Sequence, residues 1–346
     1  MTTARVVWAP MAICSCLVLL PACGGSGEST VEGGAGGGSG PSNRASPTRN
    51  HMADHATVVR VDAASGDVTA VVPVGPDPLL LAVASGRTWT LNLGDGTLSL
   101  VDPSSNEAST VHPGEVVGMT SDGRDLWVAR ERNVVSRLDG HTGRKEDSFV
   151  LGSKPLFALR DAGFLGVGPE SVWLTVPQVG EPAEPHSLWQ LDPETGQVLR
   201  RLPLGRDVLP PVVDDRYVWI IAMGERNVTR IDQRSAETAD VPAGPLPLSL
   251  AVGDGSLWLG DESGEVWRIE PETLKVLATI EVEGRGRLRG TGFGGGLVWV
   301  TTETALLAID PATDQVTLSV PLGNFEWDTG PIGIGYLDGS VWVSVE

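Results

Sequence analysis

The sequence predicts an all-β fold, a seven-bladed β-propeller, because two short motifs each recur seven times and the two ends of the chain complement each other. The first motif is a turn rich in glycine or aspartate that leads, usually through an apolar residue, to a tryptophan. Repetition at about 40 residues, with short strands and turns, is typical of propeller blades. The seven tryptophans are Trp89, Trp127, Trp173, Trp219, Trp258, Trp299 and Trp342.

The second motif is an apolar-x-apolar segment that ends in an acidic residue, as in LDPETG and IDPATD. An aspartate at the start of a turn accepts hydrogen bonds from backbone N–H groups, and a following proline presets φ for the next position. We therefore expect these acidic residues to be structural. They are Asp62, Asp102, Asp139, Asp192, Asp232, Glu270 and Asp310.

Residues 246–282 give the clearest single blade. LPLSLAVG is predicted to be the innermost strand, GDGS a tight hairpin turn, LWLG the second strand, EVWRIE the third and KVLATIEV the outermost. The residues around Trp258 are apolar in succession, which indicates a sheet that neighbouring blades cover on both faces. Because an indole fills the wedge between two blades, we expect all seven tryptophans to be core residues.

The ends of the chain predict how the ring closes. Residues 56–75 form a hairpin that lacks two inner strands, and the chain stops at VWVSVE, two strands into a blade that lacks its outer two. The N-terminal hairpin is therefore predicted to complete the C-terminal blade, the seventh.

Residues 1–22 have the features of a signal peptide, since Arg5 precedes an apolar run that is too short to span a bilayer. The run ends in LPAC, which resembles the lipobox of bacterial lipoproteins. The resemblance implies that Cys23 carries a lipid and holds the protein at the outer face of the bacterial cell membrane. The alternative is an ordinary signal peptide that is cut nearby.

Residues 23–55 are rich in glycine and serine and are predicted to be a flexible tether, and residues 56–346 form the propeller. The remaining cysteines, Cys14 and Cys16, belong to the signal peptide. The propeller therefore contains no thiol for a disulfide or a thiolate metal site.

The net charge of the chain indicates which classes of partner it can bind. The chain has 44 Asp and Glu residues against 25 Lys and Arg residues, a formal net charge of −19. A field of this sign repels nucleic acid and anionic lipid headgroups, so both are poor partners and no nucleic-acid partner is expected. We expect a monomer whose partners are envelope proteins or a small molecule.

Alignment of the blades on their tryptophans identifies a candidate site. Twelve residues before the tryptophan, four consecutive blades have a carboxylate, and the sixth blade has Arg287. These acids predict a negative collar at one mouth of the channel, for which a divalent cation is a candidate ligand; no other cofactor is expected. The alternative is a set of solvated loop acids. The four are Asp77, Glu115, Asp161 and Asp207.

Two further features point to the same face. Arg285, Arg287 and Arg289 form the one basic cluster of the sequence, and Trp327 lies outside the repeated tryptophan positions. Together they predict a platform for an anionic or sugar-like ligand, unless Trp327 packs on a neighbouring proline. Blade 3 has long loops at 151–162 and 177–186, which indicate either a binding surface or neutral variation.

The segment GPLPLSLAVGDGSLWL, at 244–259, resembles the repeat of secreted bacterial YVTN-type propellers and of the streptogramin-lyase superfamily. The resemblance implies seven blades. Lyases of that superfamily use a histidine base near Mg²⁺ on one face, and here His112 and His186 could reach that face. Neither lies in a lyase motif, so no catalytic residue is assigned. We expect a binding or scaffolding module, with a lyase-like or hydrolytic enzyme as the alternative.

Overall fold

The repeated tryptophans lie on the second strands of seven four-stranded antiparallel sheets, so the predicted seven-bladed propeller is confirmed. The computed structural model describes residues 56–131, 133–152, 164–176, 186–244, 246–282, 287–323 and 332–345. The regular secondary structure in these ranges is entirely β-strand. None of the described segments is a helix long and apolar enough to cross a membrane.

The strands are numbered along the chain. The first two, which belong to blade 7, are β1 (Thr57–Asp62) and β2 (Val68–Pro73). Blade 1 follows with β3 (Pro78–Ala84), β4 (Arg87–Asn92), β5 (Thr97–Asp102) and β6 (Glu107–Val111). Blade 2 has β7 (Val116–Ser121), β8 (Asp125–Arg130), β9 (Val134–Asp139) and β10 (Lys145–Val150). Blade 3 has β11 (Leu165–Val167), β12 (Val172–Val176), β13 (Ser187–Leu191) and β14 (Val198–Pro203).

The second half of the ring repeats the same order. Blade 4 has β15 (Val212–Val213), β16 (Tyr217–Ala222), β17 (Asn227–Asp232) and β18 (Thr238–Val241). Blade 5 has β19 (Pro247–Gly253), β20 (Ser256–Asp261), β21 (Glu265–Ile269) and β22 (Val276–Glu281). Blade 6 has β23 (Leu288–Gly294), β24 (Leu297–Thr302), β25 (Ala305–Asp310) and β26 (Gln315–Pro321). The chain ends in β27 (Ile334–Leu337) and β28 (Ser340–Val345).

Blade 7 closes the ring as the chain ends predict. Its strand order is β2-β1-β28-β27, and β1 pairs with β28 in continuous register from Thr57–Val345 to Asp62–Ser340. The first and last strands of the chain therefore share one sheet, and the ladder between them fastens the ring.

The seven tryptophans form the core between blades. Each is no more than 2% exposed. Each belongs to an apolar cluster with residues of the following blade; Trp173, for example, packs with Val218 and Ile220. An indole buries on the order of 200 Å², which at about 25 cal/mol per Å² contributes about 5 kcal/mol before entropy is subtracted. The tryptophans are structural, as predicted.

Four arginines add a polar connection between blades, and we call them the bridging arginines. Each lies on a third strand directly opposite its blade's tryptophan. Each guanidinium carbon lies 4.6–5.7 Å from the centre of an aromatic ring, within the range of cation–π attraction. Their role is not evident from the tryptophan and turn motifs. The bridging arginines are Arg60, Arg137, Arg230 and Arg268.

The bridging arginines reach the turn between the third and outermost strands of the next blade. Arg60 Nη1 donates to Pro103 O at 2.8 Å, and Arg230 Nη1 donates to Pro271 O at 2.7 Å. Arg268 makes the corresponding bond to Pro311 O, and Arg137 forms an ion pair with Glu194. Each of these arginines therefore ties an aromatic ring of its own blade to the neighbouring blade.

Candidate functional site

The propeller has two faces with different loops. One face has the loops that enter each innermost strand and those that join second to third strands, and we call its edge the entry rim. The opposite face has the two remaining hairpin turns of each blade, including the turns that begin with the repeated acids.

The turn acids on the opposite face are held by their own turns. Asp192 accepts hydrogen bonds from Thr195 N and Thr195 Oγ1, both at 2.8 Å, and these bonds hold its pKa below the ordinary value. The pKa of Asp232 is lowered to about 2, chiefly by the backbone N–H of Ser235. These carboxylates are therefore already engaged in hydrogen bonds that stabilise their turns.

The aligned acids lie at equivalent places on the entry rim. In each of four blades, the residue twelve positions before the tryptophan accepts a hydrogen bond through its carbonyl oxygen. The donor is the backbone N–H of the residue four positions after the same tryptophan. The bonds are Leu93 N–Asp77 O (2.9 Å), Glu131 N–Glu115 O (3.0 Å), Met223 N–Asp207 O (3.0 Å) and Glu262 N–Leu246 O (3.0 Å). The alignment on tryptophan therefore identified one structural position in these blades.

The side chains of Asp77, Glu115 and Asp207 are exposed. Among the described residues, none of the three accepts a hydrogen bond through its carboxylate or forms an ion pair. Asp77 and Asp207 have φ of 52° and 53°, the left-handed region, which aspartate tolerates better than most residues. The fourth acid of the set, Asp161, lies outside the described residues.

Further acids lie on the same rim, in the loops between second and third strands, and the single aligned position did not reveal them. Asp95 accepts bonds from Thr97 N at 3.0 Å and from Thr97 Oγ1 at 2.7 Å. Glu225 pairs with Arg206 at 3.6 Å. A search four to six residues after each tryptophan would have found them. Because they have partners, they differ from the three aligned acids.

The predicted basic platform is only partly described. Arg287 is exposed and immediately precedes β23, so it occupies the position of the aligned acids on the rim. It forms an ion pair of 3.1 Å with Glu262, in a loop of blade 5. Arg289 lies two residues further on and is half-buried. Arg285, Trp327 and most of the long loops of blade 3 lie outside the described residues, as does Cys23.

Within the described ranges, no three His, Cys, Asp or Glu side chains converge as a metal site would require. His112 is exposed in the loop before blade 2. His186 immediately precedes β13, the third strand of blade 3, and its backbone N–H donates to Gly205 O at 3.1 Å. The two candidate histidines thus belong to separate loops on the entry rim.

Solved structures share this fold. No protein-family model and no curated protein matches the sequence. Hydrazine synthase of Kuenenia stuttgartiensis is 17% identical with a TM-score of 0.58, covering 77% of this chain and 89% of that one. The WD40 repeats of RRP9 are 12% identical with a TM-score of 0.58, covering 79% and 96%. BamB from Moraxella catarrhalis is 14% identical with a TM-score of 0.50, covering 83% and 91%. At these identities the similarity establishes a common propeller fold.

Proposed function

We propose that this protein is a lipid-anchored binding module at the outer face of the bacterial cell membrane, and that its entry rim binds a positively charged segment of another envelope protein. The proposal rests on the exposure of the Asp77, Glu115 and Asp207 carboxylates and on their lack of described partners. These carboxylates occupy one structural position in three blades and are exposed without partners among the described residues.

The contrast with the turn acids supports this choice of site. Asp192 and Asp232 are held by backbone N–H groups, so their charge serves the fold. The carboxylates of the three rim acids make no hydrogen bond or ion pair with the described residues. Together with the net charge of −19, these carboxylates attract cations and favour fast association with a basic partner.

The described part of the chain begins at the entry rim. Ala56 O accepts a bond from Val74 N, which lies in the loop that enters blade 1, so the chain enters β1 at the entry rim. The tether predicted for residues 23–55 would have an r.m.s. reach of roughly 30 Å. The negative charge of the rim repels anionic headgroups, which favours a protein partner over lipid.

The test is removal of the three charges. We expect Asp77→Asn, Glu115→Gln and Asp207→Asn together to weaken binding of an octalysine peptide by roughly 3- to 100-fold, with a shallower salt dependence. The control removes three exposed carboxylates from the opposite face or the strand ends beside it, by Glu107→Gln, Glu237→Gln and Asp338→Asn. Equal affinity of the rim variant and the control would contradict the proposal, whatever the outcome for the lipid anchor.

A further inference from the structure

The junction between blades 3 and 4 contains a groove on the face opposite the entry rim. Its volume is about 410 Å³. Three polar side chains that line it are buried: Ser171 is 3% exposed, Gln190 8% and Gln233 9%. Glu170, Asp215 and Arg234 lie at its exposed edge.

At two other junctions the corresponding space holds a guanidinium. Arg60 of blade 7 donates from Nε to Ser340 Oγ at 2.9 Å and from Nη1 to Pro103 O of blade 1 at 2.8 Å. Arg268 of blade 5 donates from Nε to Ser256 Oγ at 3.0 Å, and from Nη1 to Pro311 O of blade 6. In both cases the serine lies two residues before the tryptophan, and the carbonyl follows the turn acid.

Blade 3 has the serine without the arginine. Ser171 lies two residues before Trp173, and Gln190 lies opposite Trp173 on the third strand. Gln190 Nε2 donates to Ser171 Oγ at 2.7 Å, as the arginine Nε does in the other blades, but the glutamine side chain ends there. Gln233 follows the turn acid of blade 4. The groove is therefore the space that the Nη side of the guanidinium fills beside Arg60 and Arg268.

One arginine bond reaches the same turn from outside the groove. Arg200, on the outermost strand of blade 3, donates from Nη2 to Arg234 O at 2.7 Å. Arg200 is not among the lining residues, so the two blades remain tied while the inner part of the space stays open.

The charges at the groove favour a cation. The Arg216 guanidinium pairs with Asp232 at 3.2 Å and with Glu272 at 2.6 Å, which neutralises it. Glu170 and Asp215 have no partner among the described residues. Arg234 is the one further cation among the lining residues, so the lining as a whole carries a net negative charge. We propose that the groove binds the guanidinium group of a ligand, carried either by an arginine side chain of a partner or by a small guanidino compound.

Trp173 provides a reporter beside the groove. Its indole N–H donates to Gln233 Oε1 at 3.1 Å, so a ligand that contacts Gln233 shifts the NMR signal of that N–H. The signal is assigned by its loss in Trp173→Phe. We expect N-acetylarginine amide to shift it in the full chain with a dissociation constant on the order of 1 mM. N-acetylcitrulline amide, which has a similar shape without charge, should leave it in place.

Two sets of variants test the mechanism. Gln190→Arg places an intrachain guanidinium in the groove, so we expect it to weaken probe binding at least about tenfold without lowering the melting temperature. If Gln190→Arg fails to fold, Glu170→Gln with Asp215→Asn keeps the test open, with an expected weakening of about three- to tenfold. The control is Glu237→Gln, an exposed carboxylate of blade 4 that does not line the groove.

The outcomes separate the two sources of the ligand. If methylguanidinium binds as tightly as N-acetylarginine amide, a small guanidino compound is sufficient. If only the amide binds, the groove reads an arginine within a peptide. Equal shifts from the arginine and citrulline probes, or unchanged binding in a folded Gln190→Arg protein, would overturn the proposal.

Discussion

Deletion of the N-terminal hairpin is the most severe perturbation that the fold predicts. The hairpin supplies both outer strands of blade 7, and Val58, Val59, Val61 and Val72 are each no more than 1% exposed. A fully buried valine contributes about 1.5–3 kcal/mol, so these four together contribute about 6–12 kcal/mol. That sum is comparable to the whole stability of a typical domain, about 5–15 kcal/mol.

The assay compares two truncations by thermal melting and light scattering. A chain that begins at residue 76 lacks the hairpin and leaves the edge of β28 unpaired, so we expect unfolding or aggregation at room temperature. A chain that begins at residue 50 retains the hairpin and should melt as the full chain does. Similar melting temperatures for the two truncations would refute the closure described here.

Three further predictions address the anchor, the bridging arginines and the turn acids. Cys23→Ala should move the protein from the membrane fraction to the medium or leave an unprocessed precursor; processed, membrane-bound protein would contradict the anchor. Arg268→Ala should lower the free energy of unfolding by about 1–3 kcal/mol in chemical denaturation, because it removes charged hydrogen bonds to blade 6. The control is Leu277→Ala, at a side chain that is 48% exposed, which should change the free energy of unfolding by less than about 0.5 kcal/mol. Asp232 has a folded pKa of about 2, below the ordinary value of 3.8, so the stability it contributes is present above pH 3.8 and is lost as the pH falls toward 2. A melting temperature that stays constant over that interval in the parent, or falls equally in Asp232→Asn, would contradict this role.

The fold could be predicted because each blade repeats the same physical solution. In each blade a tryptophan fills the space between neighbouring sheets and an acidic residue begins the turn after the third strand. Both residues therefore recur at a nearly fixed spacing, which can be seen in the sequence alone. Blade 5 shows how closely this works, since the strand predicted at 265–270 is observed at Glu265–Ile269. Closure was visible because the missing strands at the two ends add up to one sheet.

The bridging arginines could not be identified in the same way. Arg137 and Arg268 lie ten residues after their tryptophans and Arg230 lies eleven, while Arg60 pairs with Trp342 across the ends of the chain. Three blades have Leu100, Gln190 or Ala308 in the corresponding position. The groove beside Gln190 depends on this replacement, so it becomes visible only when the junctions are compared in three dimensions.

The placement of three aligned acids could be predicted from the sequence, while their role in binding stays a prediction. The rim position of Asp77, Glu115 and Asp207 followed from the spacing to tryptophan, because the segment from the rim through the innermost strand and its hairpin turn to the tryptophan has the same length in those blades. The pairing of Arg287 with Glu262 did not follow, since it depends on how the loops of two neighbouring blades approach each other. Asp161, Arg285 and Trp327 remain predictions.

The most direct test of the proposed binding rim is photo-crosslinking in intact cells. A photoreactive amino acid replaces Glu115 on the rim in one strain and Glu107, an exposed residue on the outermost strand of blade 1, in another. We predict a crosslink from position 115 to an envelope protein, with the crosslinked peptide rich in lysine or arginine, and loss of that product when Asp77 and Asp207 are also neutralised. A product that forms equally from position 107, or that survives neutralisation of the rim, would contradict the account.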